Sequence, residues 1–169
     1  MTAVYVAAGS NVEPERNLVR ACAQIAQRWP DARFSRAYRN AAVGFEGPEF
    51  INLVLGFTTD QPLAEVLAQL HAIESDCGRP RNAPKWASRT MDLDILLYGD
   101  LIEKTAQYTV PRPDLTRRPF MLGPMAEIAP DVVHPVAHKT IAELWREFDR
   151  GAHALTPVVL VDGSQAPTA

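Results

Sequence analysis

The stretch FINLVLGF, residues 50–57, decides the fold, because no other part of the chain alternates its side chains so clearly. Successive side chains of an extended strand point to opposite faces of a sheet. One face of this stretch is apolar throughout and holds Ile51, Leu53, Leu55 and Phe57. The other face holds Phe50, Asn52 and Val54. The pattern therefore predicts a strand that packs on a core with one face and offers an amide on the other.

Two amphipathic helices flank this strand along the chain. Pro14 suits the first turn of one helix, whose apolar residues recur at three- and four-residue spacing until Pro30. The other helix begins at Leu63, keeps the same spacing, and ends before Gly78. Each helix therefore has one apolar face to bury against the sheet.

Three further stretches predict strands, at residues 4–8, 33–38 and 91–97. The order of elements becomes βαββαβ, which is typical of the ferredoxin-like split arrangement. We therefore expect an α+β fold in which both helices cover one face of an antiparallel sheet.

The C-terminal part of the chain is rich in proline. Six of the 14 prolines lie in residues 111–135, which predicts an ordered loop with a short helix over 120–128. We expect another helix over 139–148 and an edge strand over 157–161. These elements would cover the second face of the sheet and complete a three-layer αβα arrangement.

The composition fits one soluble domain, which we place at residues 1–162, followed by a flexible tail over 163–169. The 169 residues are 47% hydrophobic, and 17 basic against 20 acidic residues give a net charge of −3. No apolar stretch is long enough to span a membrane, and no leader pattern opens the chain, so we expect a cytoplasmic protein without membrane contact. The acidic balance argues against a general nucleic-acid binder.

Cys22 and Cys77 lack CxxC spacing and are expected to be reduced.

Two carboxylates interrupt the apolar stretch at 91–97. Period two puts Asp92 and Asp94 on one face of the predicted strand, with Leu93 and Ile95 on the other. Carboxylates held this close repel each other unless a cation neutralises them. Mg²⁺ accepts one or two carboxylates, keeps waters, and takes its other ligands from substrate phosphates. The pair therefore predicts a magnesium site, and the alternative is an exposed strand face whose aspartates pair with neighbouring arginines.

A basic segment directly precedes the two aspartates. Residues 78–91 contain four basic residues and no acidic residue, and two prolines and a glycine make the segment a loop. A cationic loop beside a carboxylate pair is the combination that a magnesium-bound polyphosphate requires. The chain contains neither GxxxxGKS/T nor GxGxxG, so arginines and metal ions would have to hold a nucleotide. The alternative is a solvated basic loop.

A flat ligand is predicted on the same face of the sheet. Phe50 and Asn52 lie on the face opposite the helices, and the alternation places Asp92 and Asp94 opposite the core as well. A planar heterocycle can stack on the ring of Phe50 and form hydrogen bonds with the amide of Asn52. The alternative is that Phe50 only packs beneath residues 111–135.

Two histidines four residues apart do not predict a second metal site. His134 and His138 have the spacing of a helical metal pair, but Pro135 lies between them. A proline at this position breaks the helix that such a pair needs. We therefore expect no metal there.

Five stretches of the chain form a recognisable set. They are AGSN (8–11), GPEFIN (47–52), IE followed by GRPR (73–74 and 78–81), KWASRTMDLDI (85–95) and RPFML (118–122). The set resembles the 6-hydroxymethyl-7,8-dihydropterin pyrophosphokinase family of folate biosynthesis. The most specific stretch is KWASRTMDLDI, which is similar to the family pattern R-W-G-P-R-T-L-D-L-D-I.

The resemblance implies transfer of pyrophosphate from ATP to the hydroxymethyl group of the pterin, with release of AMP and with two Mg²⁺ ions. The implied catalytic residues are Arg79, Arg89, Asp92 and Asp94, of which the two aspartates are the implied metal ligands. The implied pterin contacts are Phe50, Asn52, Phe120, Asn40 and Val43. The implied nucleotide contacts are Ile73, Glu74, Arg81, Lys85, Trp86, Arg112 and Arg118. The resemblance also implies a monomer with a loop that closes over the nucleotide.

The chain departs from the family pattern at several positions. Arg112-Pro113 stands where many members have His-Tyr, and Asn40-Ala41-Ala42 stands where Thr-Pro-Pro is common. Lys85 replaces an arginine, and Ser88 replaces a proline. These changes bear on loop closure and nucleotide affinity more than on the metal site. The alternative function is a catalytically weakened paralogue that binds pterin or nucleotide. A ferredoxin-like nucleic-acid module is disfavoured by the acidic charge.

Overall fold

The computed structural model describes residues 1–40, 49–77, 91–148 and 155–160. Within these ranges the strands are β1 (Thr2–Ser10), β2 (Arg33–Phe34), β3 (Ala37–Asn40), β4 (Phe50–Thr59), β5 (Asp92–Tyr98), β6 (Glu103–Lys104), β7 (Thr109–Val110) and β8 (Thr156–Val158). The helices are α1 (Pro14–Arg28), α2 (Leu63–Asp76), α3 (Pro119–Ile128), α4 (Ile141–Glu147) and a 3-10 helix, Pro113–Thr116. None of the described helices is long and apolar enough to cross a membrane.

Strands β1 and β4 form the centre of an antiparallel sheet. They pair without interruption, from Thr2 opposite Thr59 to Ser10 opposite Ile51. The sheet order is β5-β1-β4-β3-β8, with β2 also paired to β4, while β6 and β7 form a separate two-stranded sheet. The predicted mixture of helices with an antiparallel sheet is confirmed.

Each face of the sheet carries its own apolar core. The first core lies between the sheet and helices α1 and α2, and it includes Leu18, Ile25, Leu53, Leu70 and Ile95. The second core joins the sheet to α3 and α4, and it includes Tyr5, Val54, Leu122, Met125 and Ile141. Burial of these side chains is the main stabilising contribution to the fold. The alternation predicted for residues 50–57 is confirmed, since Leu53 and Val54 enter different cores.

A bulge in β5 changes which side chains enter each core. Val6 lies opposite Ile95, whereas Tyr5 lies opposite Leu97, so Leu96 is the extra residue. Leu96 and Leu97 consequently both enter the second core. The residues before the bulge keep period two, and the two aspartates therefore stay on one face.

The strand predicted over residues 33–38 is divided into β2 and β3. Ser35 interrupts it, because its hydroxyl accepts the backbone N–H of Val54 at 2.9 Å while its own N–H donates to the Val54 carbonyl at 2.8 Å. A side chain here takes the place of a backbone acceptor, which disturbs the ladder locally. The prediction of one continuous strand is therefore wrong.

The proline-rich segment at 111–135 is more regular than predicted. It contains the 3-10 helix as well as α3, and Pro119 occupies the first turn of α3, where a missing N–H costs nothing. Helix α4 begins later than predicted, because Thr140 and Glu143 form a capping box. Strand β8 confirms the predicted edge strand, whereas the pairing of β6 with β7 was not predicted. The predicted tail over 163–169 lies outside the described residues.

The two cysteines are free thiols inside the protein. Cys22 and Cys77 are both buried, and burial raises the pKa of the Cys22 thiol to about 12. A buried, protonated thiol is unreactive at neutral pH. This agrees with the expectation that both cysteines are reduced.

His134 stabilises the connection between α3 and α4. Its Nδ1 accepts the backbone N–H groups of Val136 and Ala137 at 3.2 and 3.0 Å. The backbone N–H of His134 donates to the backbone carbonyl of Lys139 at 2.8 Å. The residue is 6% exposed, and burial together with the nearby His138 lowers the pKa of His134. The neutral ring therefore has a structural role as an acceptor of two backbone hydrogen bonds.

We predict that His134 makes the free energy of unfolding depend on pH. The pKa of His134 is lower in the folded protein than in the unfolded chain. As the pH falls below the ordinary histidine pKa of about 6.5, the unfolded chain is therefore protonated at this position before the folded protein. The free energy of unfolding decreases as a result. Urea unfolding at about pH 7.5 and about pH 5.5 measures this loss. His134→Asn should lose less stability than the wild type between these two pH values, because the asparagine amide oxygen accepts hydrogen bonds and does not titrate.

The control for this prediction is His71→Asn, at an exposed position on α2. It should lose as much stability between the two pH values as the wild type, because this substitution leaves His134 and its hydrogen bonds in place. Equal losses in the wild type and His134→Asn would contradict the role assigned to His134.

Candidate active site

Asp92 and Asp94 lie at the beginning of β5, on the face of the second core. Strand β5 pairs with β1, so that Gly9 lies opposite Asp92 and Ala7 lies opposite Asp94. Leu93, between the two aspartates, is 2% exposed and belongs to the first core. The side chain of Asp94 is 33% exposed. The two carboxylates therefore share one face of a strand whose other face is anchored in a core, as period two predicts.

One row of paired residues links the aspartates to the predicted pterin contacts. Gly9 lies opposite Asp92 on one side and opposite Asn52 on the other, and residues paired across strands point to the same face. Neighbouring strands are about 4.8 Å apart, so the backbones at Asp92 and Asn52 are about 10 Å apart. Phe50 lies on the same face of β4 as Asn52. The prediction that the aspartates, Phe50 and Asn52 share a face is confirmed.

Gly9 leaves room for the amide of Asn52. A Cβ atom at Gly9 would lie 2.4 Å from Asn52 Oδ1, far inside van der Waals contact. The amide therefore lies over the backbone of β1, and its Nδ2 donates to Asn40 Oδ1. Asn52 is only 9% exposed, so this packing and this hydrogen bond hold its amide in one orientation. Sequence reasoning missed this role of Gly9, although a glycine inside a central strand often marks a close approach.

A hydrogen-bonded carboxylate fastens α3 to β3. Glu127 accepts the phenol O–H of Tyr38 at 2.5 Å and the backbone N–H of Arg36 at 2.7 Å. Tyr38 lies opposite Asn52 in the sheet, so this contact extends the row described above. Desolvation and the hydrogen bond to the Glu127 carboxylate raise the pKa of Tyr38 to about 12. The C-terminal end of α3 is thereby held over the sheet, and neither Tyr38 nor Glu127 was identified from the sequence.

Glu74 approaches β5 from the side of α2. It is 8% exposed, and its Oε2 accepts the backbone N–H of Leu93 at 2.8 Å. Strand β5 lies at the edge of the sheet, and this bond satisfies one of its outward donors. Ile73, the other predicted nucleotide contact on α2, is fully buried in the first core. Glu74 therefore fixes the backbone between the two aspartates.

Arg112 is attached to β5 by its backbone and by its side chain. Its N–H donates to the Leu96 carbonyl at 2.9 Å. Its Nη1 lies 3.6 Å from Asp94 Oδ1, and its Nη2 lies 3.7 Å from Asp114 Oδ2. Its Nε is buried and has no hydrogen-bond partner among the residues that the structure describes. The guanidinium thus lies between two carboxylates, of which Asp114 was not identified from the sequence.

Arg118 and Phe120 lie at the start of α3. Arg118 is the N-cap residue, and Phe120 packs against the second core. Both residues are half-buried, as is Phe50 on β4. Because the face of β4 that carries Phe50 also carries Val54 of the second core, both rings lie on the same side of the sheet.

The described part of the chain offers Asp92 and Asp94 as oxygen ligands for a divalent cation. It contains no cluster of three or more His, Cys, Asp or Glu side chains that could hold a metal. Two carboxylates, completed by water and phosphate oxygens, form a donor set typical of Mg²⁺. The residues therefore fit a magnesium ion that binds together with a polyphosphate.

Six of the predicted site residues lie outside the described residues. They are Val43, Arg79, Arg81, Lys85, Trp86 and Arg89. Their roles therefore stay predictions.

A family model matches most of the described chain. The model described as 7,8-dihydro-6-hydroxymethylpterin-pyrophosphokinase (HPPK) matches residues 5–130. This range contains the two aspartates, Asn52, Arg112 and the start of α3. The match therefore includes all the described residues of the candidate site.

Relatives named 2-amino-4-hydroxy-6-hydroxymethyldihydropteridine pyrophosphokinase are similar to the chain over most of its length. The relative from Synechocystis sp. is 40% identical over 136 residues, which cover 80% of this chain and 69% of the relative. The relative from Aquifex aeolicus is 34% identical over 145 residues, which cover 85% of this chain and 90% of the relative. The second similarity extends over nearly the whole length of the Aquifex protein.

Solved structures of HPPK-DHPS proteins share the fold. One, described as HPPK-DHPS in complex with substrates, superposes with a TM-score of 0.61 at 12% identity and covers 89% of this chain and 44% of that chain. Wild-type Plasmodium falciparum HPPK-DHPS with STZ-DHP gives a TM-score of 0.64 at 13% identity, covering 86% of this chain and 43% of that chain. This chain thus spans less than half of those longer chains. From the family match and the similar relatives, the chain belongs to the 7,8-dihydro-6-hydroxymethylpterin-pyrophosphokinase family.

Proposed function

We propose that this protein transfers pyrophosphate from ATP to the hydroxymethyl group of 6-hydroxymethyl-7,8-dihydropterin, giving AMP and the pterin diphosphate for folate biosynthesis. The observation that carries the proposal is the row Asp92, Gly9 and Asn52, which puts carboxylates and an oriented amide on one face. Membership of the family supplies the chemical class of both substrates.

In the proposed reaction, the hydroxymethyl oxygen of the pterin attacks the β-phosphorus of ATP. The bond from this phosphorus to the oxygen shared with the α-phosphorus breaks, AMP leaves, and the hydroxyl proton passes to solvent. No covalent enzyme intermediate is needed, so the protein must align the two substrates and stabilise the charge that develops on oxygen.

Asp92 and Asp94 are proposed to hold Mg²⁺, two ions in all, when the nucleotide is bound. The metal supplies charge neutralisation and alignment of the phosphate oxygens. Arg112 and Arg118 are proposed to donate hydrogen bonds to the phosphates, since a guanidinium suits phosphate geometry. Arg79 and Arg89 complete the proposed catalytic set. The remaining proposed nucleotide contacts are Ile73, Glu74, Arg81, Lys85 and Trp86.

The pterin is proposed to bind beside the aspartates, on the same face of the sheet. The amide of Asn52, oriented by Asn40, forms hydrogen bonds with the polar edge of the heterocycle, while Phe50 and Phe120 stack on its two faces. Val43 is a further proposed contact. Because the amide and the carboxylates stand about two strand spacings apart, the pterin and the phosphates can occupy adjacent parts of one cleft.

We further propose that α1 and α2 form one layer, the sheet a second, and α3 and α4 a third, as a ferredoxin-like βαββαβ unit with C-terminal additions. The two cores on opposite faces of the sheet support this arrangement. A single domain over residues 1–162 that acts as a cytoplasmic monomer completes the proposal. Size-exclusion chromatography with light scattering tests the oligomeric state.

We predict that Asp94→Ala lowers the rate of AMP release by at least about 100-fold, because the phosphate charge is no longer neutralised at that position. The assay contains ATP, Mg²⁺ and 6-hydroxymethyl-7,8-dihydropterin, and AMP release must depend on the pterin. The fold should persist, since Leu93 and Ile95 anchor this part of β5 in the first core.

The matched control for Asp94→Ala is Asp100→Ala, which removes an exposed carboxylate just beyond the other end of β5. It should leave the rate unchanged. Full activity of Asp94→Ala would contradict the metal assignment. A silent wild-type protein that still binds pterin would favour the weakened paralogue.

We also predict that Gly9→Ala weakens pterin binding by about 10-fold or more, because the new Cβ displaces the amide of Asn52 and removes its hydrogen bonds. Titration calorimetry with the pterin, in the presence of Mg²⁺ and an ATP analogue, measures the effect. In an Asn52→Ala background, Gly9→Ala should have little further effect, since the displaced group is already absent. Equal losses in both backgrounds would show that Gly9 does not act through Asn52.

A further inference from the structure

We propose that Arg112 is a resident counter-ion of Asp94, so that a divalent cation binds weakly to the free protein and tightly once a polyphosphate draws the guanidinium away. The inference deepens the proposed function and rests on it for the identity of the nucleotide. It assigns to Arg112 a role in coupling the metal to the nucleotide, in addition to a phosphate contact.

The position of Arg112 next to the metal site is set by its backbone. Its N–H donates to the Leu96 carbonyl at 2.9 Å, and Leu96 lies two residues after Asp94 on the same strand. The connection therefore keeps the base of the side chain beside the carboxylate. The Nη1 of the guanidinium reaches within 3.6 Å of Asp94 Oδ1.

The ion pair with Asp94 is shared and incomplete. Asp114 competes for the same guanidinium, with its Oδ2 at 3.7 Å from Nη2. Neither distance is short enough for a good hydrogen bond. The Nε of Arg112 is buried and has no hydrogen-bond partner within the described ranges. The guanidinium thus has a donor that gains a partner if the side chain moves to a phosphate oxygen.

A guanidinium at this distance opposes the binding of a divalent cation to Asp94. Two like charges a few ångströms apart repel each other, and the repulsion is only partly screened because both side chains are about one-third exposed, 35% for Arg112 and 33% for Asp94. A polyphosphate favours binding of the cation to Asp94. It offers Arg112 an anion for a bidentate interaction, and it brings oxygen ligands for the metal. Metal and nucleotide then increase each other's affinity by the same factor.

Asp114 has a defined part in this exchange. When the cation takes Asp94, Arg112 keeps one carboxylate partner in Asp114, so the guanidinium is not left without a counter-ion. In the free protein, Asp114 also competes with Asp94 for the guanidinium of Arg112 and so weakens the ion pair between Arg112 and Asp94. Removing Asp114 should therefore strengthen the resident ion pair.

The test is Mn²⁺ binding followed by electron paramagnetic resonance, without nucleotide and with α,β-methylene-ATP. Without nucleotide, Arg112→Gln should bind Mn²⁺ about 3- to 10-fold more tightly than the wild type, the size expected for removing a partly screened charge. Asp114→Asn should bind Mn²⁺ more weakly than the wild type. The increase in Mn²⁺ affinity caused by the nucleotide should be smaller in Arg112→Gln than in the wild type.

Three control variants keep the test specific. Arg117→Gln removes the same charge from an exposed neighbour on the same segment and should leave Mn²⁺ affinity unchanged. Arg112→Lys keeps the charge, and its affinity for Mn²⁺ without nucleotide should stay close to that of the wild type. Asp94→Asn should abolish the measured Mn²⁺ binding, and Mn²⁺ binding that persists in this variant would overturn the inference.

The inference is also overturned if Arg112→Gln binds Mn²⁺ no more tightly than Arg117→Gln. Failure of the proposed function has a different signature. In that case Arg112→Gln still tightens Mn²⁺ binding, which supports the exchange at Asp94, while the wild type releases no pterin-dependent AMP.

Discussion

The register of β5, β1 and β4 is the constraint on which the rest of the structure depends. It places Asp92, Gly9 and Asn52 in one row across the centre of the sheet. A slip of one residue in either pairing would turn the carboxylates or the amide toward the first core. The apolar residues on the other face, such as Leu53 and Leu93, oppose such a slip because they would lose their burial.

Strand β5, at the edge of the sheet, carries the two aspartates of the proposed metal site. Among the described strands of the sheet, β5 pairs with β1 alone. On its outward side, the Leu93 N–H donates to the Glu74 carboxylate, and the Leu96 carbonyl accepts the backbone N–H of Arg112. Asp94 lies between these two attachments. An edge that is fixed in this way can carry acidic side chains at defined positions without pairing with another strand. The same attachment of Arg112 brings a cation to the metal ligand.

Local patterns predicted the parts of the site that depend on one element. The alternation in residues 50–57 and the spacing of Asp92 and Asp94 are fixed by the geometry of a single strand, so the sequence alone placed these side chains correctly relative to the cores. The contacts that span the chain were not predictable in this way. The bond from Tyr38 to Glu127 and the ion pairs of Arg112 depend on how distant segments pack. Likewise, Ser35 divides a strand through its hydroxyl, which no periodicity reveals.

The most direct test of the account is a crystal structure of the protein with Mg²⁺, α,β-methylene-ATP and 6-hydroxymethyl-7,8-dihydropterin. The methylene group replaces the oxygen at which the proposed reaction breaks ATP, so all the components should remain intact. We predict magnesium on Asp92 and Asp94, the pterin against the amide of Asn52, and the hydroxymethyl oxygen directed at the β-phosphorus. A pterin bound away from Asn52, or metal bound without either aspartate, would contradict the account.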